Sequence, residues 1–172
     1  MFKRHPVLTE LPNVPQSMVG APCPFVSAGE HDLTLFYYIQ NNDPDWDGTY
    51  VNVVSENSDD EIVAQVSFER PYAHFFGPPN EEAIGGHPLA KYGLSPWAAF
   101  EVSNSEWIKE LCKRNSIHPY HKDSMFEDYR HFIFTFHDTT FEVLAKGYVA
   151  EILGPMSVLS AANKKLEGKL NG

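Results

Sequence analysis

The chain has 172 residues and a formal net charge of −10, with 42% apolar and 13% aromatic residues. This length and composition predict one globular domain, residues 1–172, rather than a disordered protein. Between Arg4 and Arg70 there are eleven acidic residues and no Lys or Arg, so the chain lacks the basic footprint that nucleic acid requires.

The sequence also lacks the usual signals of membrane or secreted proteins. No apolar run approaches the roughly 20 residues of a membrane span, and no apolar segment follows the basic N-terminus as in a signal peptide. Cys23 and Cys112 are too few for a disulfide framework, which favours reduced thiols and a cytoplasmic location. The acidic excess is compatible with a cationic partner, either a metal ion or a basic protein, and equally with a role in solubility alone.

The first 30 residues contain five prolines. Proline cannot donate a backbone hydrogen bond, so this segment predicts an irregular N-terminal arm. Apolar residues interspersed among the prolines favour an arm that packs across the domain.

Residues 32–69 alternate apolar and polar side chains in three stretches and predict a three-stranded antiparallel meander. The first turn of this meander contains Asp43, Asp45 and Asp47, followed by Gly48. Carboxylates at alternate positions can converge on Ca²⁺. The twelfth position from Asp43 is Val54 rather than the Glu of an EF-hand. The alternatives are therefore a looser calcium site and a solvated turn.

Residues 71–96 hold four glycines and five prolines, which exclude a long helix or a central strand. Their aromatic content is too high for a flexible linker, so the segment predicts a long ordered loop. Such loops are either functional or simply packed by their own side chains. His74 and His87 are the groups of this loop that could face a cleft.

Trp97 to Val102 predicts a strand, and Ser103 with Glu106 fits a capping box at the start of a helix. The helix is expected to end near Asn115. His118 and His121 follow it as H-x-x-H, a spacing that is a weak zinc signal without a second pair of ligands. Surface histidines are the simpler interpretation.

Arg130 to Glu142 predicts a β-hairpin with Asp138 and Thr139 in its turn. Three phenylalanines occupy one face, and His131, His137 and Glu142 share the other. A histidine and a carboxylate on adjacent strands can form an acid–base pair or supply metal ligands. The alternative is that this face is only the solvent side of an antiparallel sheet.

The last segment, 155–168, predicts an amphipathic helix that opens with Pro155. This helix could cover the sheet, or it could bind a second copy of the chain to form a homo-oligomer.

Together these elements predict an α+β fold in which one largely antiparallel sheet of about five to seven strands has helices packed on one face.

The sequence supports three functional hypotheses. The first is a small-molecule-binding protein or enzyme with a site between the 71–96 loop and the hairpin, for which the candidate catalytic or metal-ligating residues are His74, His87, His131, His137 and Glu142. The second is a non-catalytic acidic protein that neutralises a basic protein partner, by analogy with immunity proteins. The third is a structural calcium-binding domain that uses Asp43, Asp45 and Asp47.

Overall fold

A computed structural model describes residues 4–41 and 53–170 of the chain. Nine strands lie in the described residues: β1 (Val7–Glu10), β2 (Phe25–Ala28), β3 (Leu33–Tyr38), β4 (Ile62–Glu69), β5 (Ala73–Gly77), β6 (Ala99–Ser103), β7 (Arg130–Thr135), β8 (Thr140–Ala145) and β9 (Gly147–Pro155). Two α-helices accompany them in the same residues: α1 (Glu106–Asn115) and α2 (Val158–Leu170).

The strands form two antiparallel sheets. One has the order β1-β6-β7-β8-β5 and the other the order β2-β3-β4-β9. The predicted α+β class and antiparallel pairing are confirmed, but the strands are divided between two sheets instead of forming one. The reason is that many strands are apolar on both faces. Helices on one side of a single sheet would leave its other apolar face exposed to solvent, whereas a second sheet covers that face.

The main core lies between the two sheets and is rich in aromatic side chains. Phe68 of β4 reaches across to the other sheet, and the centroid of its ring lies 5.6 Å from that of Phe141, 6.0 Å from that of Phe134 and 6.3 Å from that of Phe132. Tyr37 makes a similar contact with Phe136 at 5.3 Å. The alternating residues of the hairpin therefore supply one side of this core.

The two helices cover the outer faces of different sheets. Phe36 and Tyr38 point away from the main core and pack with Val158, Ala161 and Ala162 of α2. The helix α1 lies over β7 of the five-stranded sheet, where Trp107 contacts His131 edge to face. The prediction of helices on one face is thus replaced by one helix on each outer side. Among the described residues, no helix is both long and apolar enough to span a membrane.

Of the two alternatives for the C-terminal helix, the structure has α2 covering the four-stranded sheet. The helix begins at Val158 rather than at Pro155, because 147–155 continues as a strand paired with β4. The hydroxyl of Ser157 accepts a hydrogen bond from the Ser160 amide at 3.1 Å and caps the helix. A homo-oligomer through α2 stays a prediction.

Residues 4–30 are more regular than the predicted irregular arm. β1 pairs with β6, and β2 pairs with β3, each at the edge of a sheet. No proline lies within either strand, and an edge strand needs hydrogen bonds on one side only.

β3 and β4 pair directly with each other, from Leu33 opposite Phe68 to Tyr38 opposite Val63. The predicted middle strand therefore does not separate them, and the three-stranded meander is wrong. Of that middle strand, residues 53–55 have no strand structure, and its remainder lies outside the described residues.

Candidate functional site

The outer face of the β7–β8 hairpin carries two groups that can exchange protons. Ile133 lies opposite Glu142 in the strand register, so the side chains of His131 and Glu142 are diagonal neighbours on the face away from the phenylalanines. His131 Nε2 lies 2.8 Å from Glu142 Oε2. Alternation with a period of two thus places an imidazole and a carboxylate in hydrogen-bond contact.

The long loop after β5 brings a second imidazole to the same carboxylate. Leu89 and Leu94 pack on Ile133 and hold the loop against the outer face of the sheet. His87 follows the short 3-10 helix Ile84–Gly86, and its Nε2 lies 3.0 Å from Glu142 Oε1. Each oxygen of Glu142 therefore has an imidazole nitrogen as its partner.

A backbone contact determines which nitrogen of His87 carries the proton. The Leu89 amide donates to His87 Nδ1 at 3.1 Å, so Nδ1 must be an acceptor without a hydrogen. His87 is then neutral with its proton on Nε2, which donates to Glu142. A second proton on His87 would break the bond to Leu89.

The other nitrogen of His131 contacts a serine at the start of α1. Ser105 Oγ lies 2.9 Å from His131 Nδ1, and the same oxygen accepts a hydrogen bond from the Ile108 amide at 3.2 Å. Ser105 is the N-cap of α1. The predicted cap was Ser103, which lies two residues earlier and ends β6.

The hydroxyl of Ser105 can act as donor or acceptor toward His131. When His131 is neutral, Ser105 donates to Nδ1. When His131 is protonated, Nδ1–H donates to Ser105, and Nε2–H donates to Glu142 in both states. His87, Glu142, His131 and Ser105 thus form one hydrogen-bonded network. Within this network, His131 is the residue whose charge can change without loss of a hydrogen bond.

Glu142 stays ionised although it is largely buried, with 16% of its side chain exposed. Burial alone would raise the pKa of its carboxyl, but the hydrogen bonds from His131 and His87 outweigh burial and lower the pKa to about 2. With His87 neutral, the three groups carry a net charge of −1 when His131 is neutral and 0 when it is protonated. A buried carboxylate without these donors would be strongly destabilising.

The network forms part of the wall of a cavity of about 730 Å³. Phe75, Tyr92 and Trp107 supply its aromatic surface, while Glu142, His87, His131 and Ser105 supply a polar patch. Cavities of this volume with a few convergent polar groups are typical small-molecule sites.

The other two predicted histidines lie away from this network. His74 lines the cavity, but it pairs with Val143 in the register, which directs its imidazole to the inner face. There its ring centroid lies 6.3 Å from that of Phe141.

His137 is not a strand residue as predicted. Phe136 and Thr139 are joined by a backbone hydrogen bond of 2.8 Å, so the turn contains His137 and Asp138 instead of Asp138 and Thr139. His137 Nδ1 lies 3.0 Å from Glu81 Oε2, and this contact raises the pKa of His137. The residue therefore pairs with Glu81 near the turn and does not join the network.

Sequence reasoning missed Ser105 and Trp107 as parts of the site. A helix N-cap next to a strand is common, and only the contact with His131 distinguishes Ser105 from other caps.

The candidate calcium ligands Asp43, Asp45 and Asp47 lie outside the described residues, so the calcium site stays a prediction, as does the basic protein partner.

Comparisons with protein-family models, with curated proteins and with solved structures find no match to this chain.

Proposed function

We propose that this protein binds a small organic molecule in the cavity and that the Ser105–His131–Glu142 part of the network exchanges a proton with it. The observation that carries the proposal is Glu142, an ionised and largely buried carboxylate held by two imidazoles on a cavity wall. Perturbed ionisable groups in a cleft are characteristic of functional sites.

The cavity walls indicate the class of ligand. Phe75, Tyr92 and Trp107 favour an aromatic or other flat apolar group, which stacks on such side chains. The polar patch favours a hydroxyl or carbonyl group at the other end of the ligand, because Ser105 can donate or accept a hydrogen bond. A compact ring compound with one polar substituent satisfies both parts.

The order of the contacts suggests the direction of proton transfer. His131 Nδ1 faces the Ser105 hydroxyl at 2.9 Å, and His131 Nε2 faces Glu142 at 2.8 Å. In this arrangement His131 is the base, Glu142 orients it and stabilises its cation, and Ser105 is the hydroxyl from which it takes a proton. A hydroxyl, a base and an orienting carboxylate in this order are the parts of nucleophilic catalysis. The Ile108 amide, which donates to the Ser105 oxygen at 3.2 Å, would also stabilise negative charge there.

The binding part of the proposal is tested with a panel of fluorine-labelled aromatic alcohols, ketones and acids, observed by fluorine NMR. We expect several members to bind the wild-type protein and to lose binding in Trp107→Ala, which removes one aromatic wall. Glu127→Gln is the matched control, since Glu127 is an exposed residue outside the cavity lining. Circular dichroism verifies that each variant is folded. No binding by any member, or equal binding by Trp107→Ala, would overturn the proposal.

The proton-exchange part is tested by NMR titration of the His131 ring with pH, without and with a bound alcohol from the panel. We expect the alcohol to change the titration midpoint of His131 in the wild-type protein and to change it less in Ser105→Ala. An unchanged His131 midpoint in the wild-type protein would refute a proton contact between the network and the ligand.

A further inference from the structure

A second cluster of ligand-type side chains lies on the far side of α1 from the network. Cys112 in α1, His121 in the following loop and Asp123 at the start of the 3-10 helix Asp123–Phe126 place one ligand atom each within 4.8 Å of one another. The sequence pattern paired His121 with His118, but the folded chain brings Cys112 to it instead.

The local backbone explains why these three side chains converge. Lys122 is extended, with φ −139° and ψ 133°, so His121 and Asp123 project to the same side. Cys112 and Asn115 are three residues apart on α1 and lie on the same face of that helix. That helix face meets the loop at His121.

The spacing of the three atoms suits a tetrahedral ion. His121 Nε2 lies 2.9 Å from Asp123 Oδ1 and 3.9 Å from Cys112 Sγ, and Cys112 Sγ lies 3.6 Å from Asp123 Oδ1. Tetrahedral Zn²⁺ with ordinary bond lengths separates sulfur from nitrogen or oxygen by about 3.6 Å, and nitrogen from oxygen by about 3.4 Å. Movements of about half an ångström or less would reach these values.

A further contact positions the histidine next to the other two ligands. Asn115 Nδ2 lies 2.9 Å from His121 Nδ1, and His121 Nε2 faces Cys112 and Asp123. For Nε2 to bind a metal, Nδ1 must carry the proton, so the Asn115 amide must turn to present its oxygen Oδ1 as the acceptor. The side chain of His121 is 10% exposed, and its ring packs against Phe126. In known metal sites, an outer partner that accepts the N–H of the nitrogen not bound to the metal holds the ligating imidazole in place.

We propose that Cys112, His121 and Asp123 bind a divalent transition-metal ion, with Zn²⁺ preferred. A thiolate and an imidazole favour Zn²⁺ over Mg²⁺ or Ca²⁺, which take oxygen ligands. The thiolate and the carboxylate together balance the charge of the ion. Cys112 and Asp123 also line an open groove of about 530 Å³, so a fourth coordination position is accessible to water or to an exogenous ligand.

The test uses the full chain, treated with EDTA and then titrated with Co²⁺, which reports thiolate coordination by a charge-transfer absorption band. Zn²⁺ affinity follows from competition with a chromophoric chelator. We expect one ion per chain, a charge-transfer band that Zn²⁺ abolishes, and loss of that band in Cys112→Ser. Asp123→Asn alters an exposed side chain and should keep the fold, yet weaken Zn²⁺ binding at least about tenfold. Asn115→Ala should weaken it about tenfold to a hundredfold.

Two matched controls test whether the ion binds at this site or instead through the other cysteine or the other histidine nearby. Cys23→Ser removes the other free cysteine and should keep the absorption band. His118→Asn removes the other histidine of the H-x-x-H spacing, whose Nδ1 accepts a hydrogen bond from the Tyr120 amide, and should bind Zn²⁺ as the wild type does. No charge-transfer band in the wild type, or a band that survives in Cys112→Ser, would overturn the proposal.

Discussion

Replacing Glu142 by Gln tests whether the two histidines hold an ionised carboxylate. Gln can accept only one of the two imidazole N–H bonds through its carbonyl oxygen, and its NH₂ group then faces the other imidazole donor. His131 and His87 donate to the carboxylate at 2.8 Å and 3.0 Å. We therefore expect Glu142→Gln to lower the free energy of unfolding near neutral pH.

The pKa of Glu142 sets the size and the pH dependence of this loss. Its carboxyl has an ordinary pKa of 4.5 and a folded-state pKa of about 2. One pKa unit corresponds to about 1.4 kcal/mol, so the ionised carboxylate contributes about 3 kcal/mol. Because the folded-state pKa is lowered, this contribution is present above the ordinary pKa and is lost as the pH falls from 4.5 toward 2.

The assay is urea unfolding followed by circular dichroism, for wild type and Glu142→Gln at several pH values. The difference in unfolding free energy should be about 3 kcal/mol at about pH 7 and smaller by roughly 1 kcal/mol at about pH 3.5. Glu110→Gln is the control, since its exposed ion pair with Arg114 contributes only about 0.3–0.5 kcal/mol. A wild-type-to-variant difference that does not change with pH would refute the assignment of an ionised Glu142.

Three other predictions concern the cap, a tautomer and the core. Ser105→Ala should lower the unfolding free energy by about 1–2 kcal/mol, through loss of the N-cap and of the partner of His131, whereas Ser103→Ala should change it by less than about 0.5 kcal/mol; equal losses would contradict the observed cap. Nitrogen-15 NMR of the His87 ring should show the proton on Nε2 near neutral pH, and a proton on Nδ1 would rule out the hydrogen bond from Leu89. Phe141→Ala should cost about 3–5 kcal/mol in urea unfolding, because Phe141 is fully buried between the sheets; a loss below about 1 kcal/mol would show that the two sheets do not pack there.

The hairpin shows how much local pattern can determine. The observed register pairs Ile133 with Glu142, whereas the predicted turn paired Thr135 with Glu142. The two registers differ by two residues, and side chains alternate with a period of two. His131 and Glu142 therefore share a face in either register, and the phenylalanines occupy the other.

Local pattern was weaker at the ends of elements. Ser103 and Ser105 both precede α1, and the capping-box pattern chose Ser103 because Glu106 lies three residues after it. In the folded chain Asn104 adopts a left-handed conformation with φ 55°, and the helix begins after Ser105, which also contacts His131. The observed cap, Ser105, thus makes a tertiary contact with His131. The sequence around the start of the helix contains no sign of that contact.

The division into two sheets also depended on tertiary structure. β3 reads as apolar on both faces, and this pattern is satisfied equally by a central strand under helices and by a sandwich. β3 pairs directly with β4, although a long segment of the chain separates the two strands in the sequence. The periodicity within each strand does not indicate which strand will be its neighbour.

For this protein, the sequence by itself determined the antiparallel α+β class and the face of the hairpin that carries His131 and Glu142, because both follow from the period-two geometry of strands. Only the tertiary structure decided that His87 and Ser105 complete that network, and that Cys112 meets His121 and Asp123. Those contacts join residues in different elements, and the position of His87 depends on the path of the 71–96 loop, whose glycines and prolines leave no periodic pattern.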